Sequence, residues 1–323
     1  MMRTIMVPLD GSAFAEQALP LAMTLARRGR AHLHLTLVRA ALPDPSAATA
    51  PEEYLAKTAA QIEAGVPEGV THSVLSHEPD RLTYPPPPPA SVADALVRYV
   101  SEHDVDLVLM TTHGRGGVGR AWLGSTADAL VRAAPKPVLL VRPEDEEFTI
   151  AHDADHGINH VVIPLDGSDA AERAIPFARE MGSIFGARYT LVRVVSPLTY
   201  YDSPEWIGPD PAVQLTPLNR EAAVRYLDGV ANRLREDDMQ VETALIEAVS
   251  AADAIIRYAE AHGADLIVLS SSGAGGIRRL LLGSVADKIV RSADVPVMVC
   301  NTRVADPSAG AHAAETSEHA TQV

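Results

Sequence analysis

What is scarce in this 323-residue chain narrows its chemistry before any motif is read. It has one cysteine, Cys300, so neither an internal disulfide framework nor a cysteine-built metal cluster can form within it. Aromatic residues make up only 4%, against 47% hydrophobic residues overall. The cores must therefore be built from Ala, Val, Leu and Ile, a mix that suits sheets covered by helices. Basic residues are outnumbered, with 27 Lys and Arg against 42 Asp and Glu, leaving a formal net charge of −15. That balance argues against nucleic acid and against anionic membranes as partners, since both need basic patches. No apolar run approaches about 18 residues, so no membrane span is expected. The start, "MMRTIMVPLDGS", lacks the apolar stretch of a signal peptide, and a cytoplasmic protein is the expectation.

What the chain does contain is a repeat. "IMVPLDGSAFAEQALPLA", from Ile5, matches "VVIPLDGSDAAERAIPFA", from Val161, and "DLVLMTTHGRGGVGRAWLGSTADALVRAAPKPVLLV" matches "DLIVLSSSGAGGIRRLLLGSVADKIVRSADVPVMVC". Two homologous domains in tandem are expected at residues 1–143 and 158–303, with an acidic linker at 144–157 and a disordered tail at 304–323. In each copy short runs rich in β-branched residues alternate with helical segments. In the first, "TIMVPL", "AHLHLTLVRA", "THSVLSH", "VDLVLMT" and "PVLLV" read as strands. One helix is expected after Ser12, its cap, and another from Pro51 to a stop at Gly65. Such alternation predicts an α/β fold with a doubly wound, mostly parallel sheet in each domain. Ligands of such sheets sit beyond the carboxyl ends of the strands, at the topological switch point. A proline run, "YPPPPP" from Tyr84 to Pro89, has no counterpart in the second copy. It reads as a stiff polyproline segment or as a docking site for a proline-reading partner.

Two repeated features lie at strand ends. Asp10 and Asp166 close the first strand of each copy within Asp-Gly-Ser. Gly114 follows the fourth strand, and nine residues later Gly124-Ser125 opens a helix; Gly273 and Gly283-Ser284 repeat that frame. A glycine there lets the backbone approach a ligand. The helix start turns N–H groups and the positive end of its dipole toward any anion. The serine hydroxyl can donate to phosphate or ligate an accompanying Mg²⁺. The bland alternative is that these glycines shape turns and Ser125 caps its helix. The aspartates likewise have two readings: acceptors for ribose hydroxyls or an adenine amino group, or Asx turns ahead of a helix.

The frame resembles that of the ATP-binding branch of the universal stress protein family, G-x-x-G-x9-G-[ST], and the resemblance covers both copies. It implies strand order 3-2-1-4-5, helices on both faces of each sheet, and pairing of the two domains through their last strands, Val138 to Val141 and Val297 to Cys300. The implied ligand is ATP, or ADP or AMP, with Mg²⁺ accompanying it. The residues implied to hold it are Pro8, Asp10, Val38, Thr111, His113, Gly114, Arg120, Gly124, Ser125 and Thr126 in copy one. In copy two they are Pro164, Asp166, Val194, Ser270, Gly273, Arg279, Gly283, Ser284 and Val285. Val38 and Val194 act through backbone, and the two arginines either neutralise phosphate or lie solvated at the surface. Both copies depart from the pattern at its first glycine, where Thr111 and Ser270 stand. A positive φ there would be costly, above all for β-branched Thr111. Arg115 and His113 face Ala274 and Ser272 in the alignment, so copy one is expected to bind more tightly. Tyr200, Tyr201 and Trp206 can stack on a base or pack against the neighbouring domain.

No catalytic residue is assigned. No Ser-His-Asp, Cys-His or zinc-ligand spacing is present, and nothing resembles a base poised for in-line attack on a γ-phosphate. Any ATP hydrolysis should be slow. The alternative from another class is a partner-binding module of the same fold without nucleotide. A synthetase of the ATP-pyrophosphatase kind would need a Ser-Gly-Gly-x-Asp-Ser loop, which is missing after the first strand. Further association of two chains into a homodimer is open.

Overall fold

The computed structural model describes residues 2–38, 51–75, 91–112, 123–143, 156–196, 211–271 and 282–301. The first half runs β1 (Thr4–Leu9), α1 (Ala13–Glu16), α2 (Leu19–Gly29), β2 (His32–Val38), α3 (Pro51–Ile62), β3 (Val70–Leu75), α4 (Val92–Glu102), β4 (Leu107–Thr111), α5 (Ser125–Ala133) and β5 (Val138–Val141). The second half repeats this as β6 (His160–Pro164), α6 (Asp169–Glu172), α7 (Ile175–Ser183), β7 (Arg188–Val195), α8 (Pro211–Glu236), β8 (Val241–Glu247), α9 (Ala251–Ala261), β9 (Leu266–Ser270), α10 (Ser284–Ser292) and β10 (Val297–Cys300). The ten strands form one sheet in the order β3-β2-β1-β4-β5-β10-β9-β6-β7-β8. Each half is thus parallel in the order 3-2-1-4-5. The halves meet antiparallel through β5 and β10, with Val297 opposite Leu140, Met298 opposite Leu139 and Val299 opposite Val138.

Local chemistry sets the element limits. Ser12, Ser91, Ser168 and Ser250 cap α1, α4, α6 and α9, their hydroxyls accepting from Ala15, Asp94, Ala171 and Asp253 N–H. At α4 the Asp94 carboxylate also accepts from Ser91 N–H, completing a capping box. One finding departs from the sequence expectation: the helix after Ser12 is broken in two. Pro20 has no N–H for the Glu16 carbonyl one turn back, so α1 stops at Glu16 and α2 restarts with Pro20 in its first turn. Pro176 breaks α6 from α7 in the same way. The stop expected at Gly65 is there, as a 3-10 turn from Glu63 to Gly65 beyond α3.

Strand alternation sends side chains to two apolar layers. One packs Leu33, Leu35 and Leu37 against α2 and α3, and continues through Leu139, Met298 and Cys300 to α7 and α8. The other packs Val108, Val138 and Leu140 against α4 and α5, and continues through Val297 and Val299 to α9 and α10. Both layers therefore cross the junction, so the halves share their cores. The junction is also fixed by reciprocal capping, since the residue after each last strand donates to the C-terminal end of the opposite last helix. Arg142 Nη2 donates to Arg291 O (2.6 Å), and Asn301 Nδ2 donates to Ala134 O (2.5 Å).

The second layer also contains a polar cluster in the first half, whose tyrosine–histidine stack recurs in the second half as Tyr258 on His262. His34 on β2 lies with its Nδ1 2.7 Å from Thr71 Oγ1 and its Nε2 2.7 Å from Tyr99 OH. Its ring stacks on Tyr99, which stacks on His103. Burial, then the neighbouring His32, His103 and His72, lower the His34 pKa to about 4. Below the ordinary histidine value the unfolded imidazole takes up a proton and the folded one does not. Stability contributed by His34 should thus be intact above pH about 6.5 and lost as pH falls toward about 4. Solvent screening of the half-buried ring limits the loss to about 1 kcal/mol. Urea unfolding at a series of pH values should show this slope in the parent chain and a flatter one in His34→Gln.

Candidate functional site

The site is made by two strands parting. Along β1, alternate residues turn their backbone groups to opposite neighbours. Arg3 O accepts from His32 N–H (2.7 Å) beside β2, whereas Thr4 O accepts from Asp106 N–H (2.9 Å) beside β4. By that alternation Pro8 faces β4. There β4 has already left: its pairing with β1 is Ile5 with Leu107 and Met6 with Val108, while it stays with β5 as far as Thr111 opposite Val141. A proline in a central strand here costs no ladder hydrogen bond. The second half repeats the arrangement. His160 O accepts from Asp265 N–H (2.9 Å), so Pro164 faces β9, which pairs with β6 only through Val161 with Leu266 and Val162 with Ile267. Each half therefore opens a crevice at the carboxyl ends of its first and fourth strands, the topological switch point.

Asp10 and Asp166 stand at the lip of these crevices in Asx turns. Asp10 Oδ1 accepts from Ser12 N–H (2.9 Å) and Ser12 Oγ–H (2.6 Å), and Asp166 Oδ1 accepts from Ser168 in the same way (3.0 and 2.6 Å). Gly11 and Gly167, with φ of 78° and 87°, make the turn possible. The turn reading of the aspartates is thus correct for Oδ1. It also holds each carboxylate at a fixed place beside the crevice. Val38 ends β2 as a buried residue, and its counterpart Val194 is half-buried.

The fourth strands end in Thr111 and Ser270, both buried and both paired in the sheet, Thr111 with Val141 and Ser270 with Cys300. Among the described residues only Arg30 and Asp238 have positive φ outside glycine. Missing the first motif glycine therefore carries no backbone strain, because that position is extended strand. From there the chain returns to a closed neck: Gly124 N–H donates to Thr112 O (2.8 Å), and Gly283 N–H donates to Ser271 O (2.9 Å). His113, Gly114, Arg120, Gly273 and Arg279, which fall in sequence between the two residues of each neck, lie outside the described residues. The same holds for Arg115, the Tyr84–Pro89 run, Tyr200, Tyr201 and Trp206, most of the expected linker and the tail.

The helices after the necks exclude part of the bland alternative. Ser125 does not cap α5; it is the first helical residue, and the cap is Gly124, just as Gly283 caps α10. A glycine cap offers no side-chain acceptor to the first N–H groups, in contrast to the four serine-capped helices. Its φ is −58° at Gly124 and −60° at Gly283, which any residue can adopt. Among the described residues a Cβ at Gly283 would meet only Ser271 O, at 3.7 Å. For the helix alone Ser, Asn or Asp would serve better. Glycine here leaves space and leaves backbone donors, and Ser125, Thr126, Ser284 and Val285 follow at those exposed or half-exposed starts. Among the described residues no group of three or more His, Cys, Asp or Glu could hold a metal ion, and no helix is long and apolar enough to cross a membrane.

Sequence reasoning missed the ion pairs one turn beyond these helix starts, Asp128 with Arg132 and Asp287 with Arg291. The signal was available: Asp-x-x-x-Arg recurs at the same place in both copies.

Comparison with known proteins bears on the same regions. The sequence model of the Universal stress protein family matches residues 1–84, 89–142 and 157–301, omitting only part of the proline run between the first two segments. A universal stress protein of Mycolicibacterium smegmatis is 32% identical over 220 residues, 66% of this chain and 67% of that one. Another, from Mycobacterium bovis, is 27% identical over 198 residues, 61% of this chain; the match spans 62% of that relative, less than two thirds of its length. A solved structure, a functionally unknown protein from Pseudomonas aeruginosa, shares the fold over 98% of both chains with a TM-score of 0.65 at 15% identity.

Two substitutions separate glycines that the fold requires from those it does not. Gly167→Ala should cost about 1–2 kcal/mol, since its positive φ is strained for alanine and its new methyl would meet the Arg193 guanidinium. Gly283→Ala should cost only about 0.5 kcal/mol, the ordinary difference at an N-cap. Chemical denaturation of the two variants measures both.

Proposed function

The chain belongs to the universal stress protein family, and from that premise we propose that each half binds one adenine nucleotide in its crevice, with ATP, ADP or AMP as the candidates. One observation carries the reading: in both halves a helix begins on a glycine without a side-chain acceptor, at the mouth of the switch-point crevice. Uncapped N–H groups and the positive end of a helix dipole are what phosphates seek.

The residues present fit such a ligand. Gly124 and Gly283 leave room for phosphate oxygens, which the N–H groups of Ser125, Thr126, Ser284 and Val285 face the right way to meet. The Ser125 and Ser284 hydroxyls donate to phosphate or ligate the Mg²⁺ that travels with it. Asp10 and Asp166, held by their turns, accept from ribose hydroxyls or the adenine amino group. Pro8 and Pro164 keep backbone donors out of the crevice wall, and Val38 and Val194 offer backbone edges to the base. Thr111 and Ser270 replace glycine without strain, which removes the main argument for a fold-alike that binds no nucleotide. From the glycine segments, His113, Gly114 and Arg120 in the first half, and Gly273 and Arg279 in the second, would complete the phosphate cradle.

The charge of the bound phosphates is what the nucleotide brings; the chain's own residues hold and orient it. On this reading the protein acts as a binding and signalling device in stress response, with slow hydrolysis at most. The cytoplasm is its proposed location. Each crevice is built within one half, so a second chain is not needed to complete a site.

Calorimetry of the full chain with Mg-ATP should give two sites. Gly124→Val should remove one of them by filling the phosphate space, and an unchanged stoichiometry would contradict the placement. Phosphate release should stay below about 1 s⁻¹, the low end of ordinary enzyme turnover; a faster rate would require a catalytic base that this reading does not contain.

A further inference from the structure

Each proposed phosphate-binding helix carries a carboxylate in its own first turn, Asp128 in α5 and Asp287 in α10. An acid there suits the helix dipole but opposes an incoming phosphate. In both helices an arginine one turn on engages it. Arg132 Nε donates to Asp128 Oδ2 (2.8 Å) and its Nη2 to Oδ1 (3.0 Å); Arg291 Nε donates to Asp287 Oδ2 (2.9 Å) and its Nη2 to Oδ1 (3.1 Å). Each guanidinium also crosses the junction. Arg291 Nη2 reaches Asp128 Oδ1 at 3.0 Å, and Arg132 Nη2 reaches Asp287 Oδ1 at 3.3 Å. Both Oδ1 atoms are thus shared between an arginine of their own helix and one from the other half.

The junction supports the crossing. The β5–β10 ladder sets the two helices side by side, and Arg142 holds the Arg291 carbonyl from across the junction. The contacts keep the Asp128 carboxyl below its ordinary range, through Arg132 first and Arg291 after it. The Asp128 carboxylate and both guanidiniums are therefore charged near neutral pH, and the four side chains form one hydrogen-bonded cluster across the junction.

Resting on the nucleotide reading above, we propose that Arg291 and Arg132 are positioning residues acting in trans: each offsets the first-turn carboxylate of the opposite half's helix, and so sets the phosphate affinity of a site its own half does not contain. The tandem arrangement then has a functional consequence beyond covering two sheet edges. Affinity at each site depends on the junction being formed.

The test uses the full chain carrying Gly283→Val, which leaves the first site to be read alone, with Mg-ATP titrated by calorimetry at low and high salt. Adding Arg291→Met should weaken ATP binding roughly threefold at low salt and by less at high salt, as expected for a screened charge near a helix end. Adding Asp128→Asn to that variant should restore the affinity, because the charge to be offset is gone. A purely structural arginine would give no such rescue. Unchanged affinity in Arg291→Met, or a loss that Asp128→Asn fails to restore, would overturn the inference alone. Absence of ATP binding by the chain without any substitution would overturn the nucleotide reading, and this inference with it.

Discussion

The early separation of β1 from β4 is the constraint on which both crevices depend. Two paired positions hold the strands together, and beyond Met6 and Val108 they turn to different neighbours. From that point the sheet has an open seam between a strand bound to β2 and a strand bound to β5. Backbone groups along such a seam would lack partners. Pro8 removes one of them, the Asp10–Ser12 turn ends β1 in a compact bend, and the neck from Thr112 to Gly124 closes the other side. Repeating the same solution at Pro164, Asp166 and Gly283 builds the second crevice from the same parts.

The antiparallel β5–β10 ladder then fixes the two crevices relative to each other. Alone, each last strand would be an open edge able to pair with another chain. Joined, they let both apolar layers run through the molecule and bring α5 beside α10. The crossed Asp–Arg contacts and the reciprocal capping by Arg142 and Asn301 follow from that placement. Surface ion pairs of this kind add little to stability one by one. Their position, one turn from two helix starts, gives them weight as electrostatic neighbours of a ligand.

Much of this was legible in the residues. Strand alternation with helices, the duplicated Pro-Leu-Asp-Gly-Ser and the glycine frame gave the parallel order, and the limits of β5 and β10 agree with the segments read from sequence. The break between α1 and α2 was not read, although Pro20 caused it, because the apolar spacing runs on unbroken across the gap. Thr111 reads from the motif as a costly replacement, which its extended backbone does not bear out. Its backbone depends on pairing with Val141, a tertiary fact that a motif comparison does not contain. Gly-Ser before a helix admits two registers, with Ser125 or Gly124 as the cap, and only the backbone decides between them. The crossed arginines were present as a repeated Asp-x-x-x-Arg, but spacing alone predicts only the pair within a helix.

The central claim is that phosphates sit at the glycine-started ends of α5 and α10. A crystal structure of the full chain grown with Mg-ATP tests it most directly. The account predicts a nucleotide in each half, its phosphates on the N–H groups following Gly124 and Gly283 and its sugar or base beside Asp10 and Asp166. Nucleotide bound elsewhere, or both helix starts free of phosphate at millimolar ATP, would contradict it.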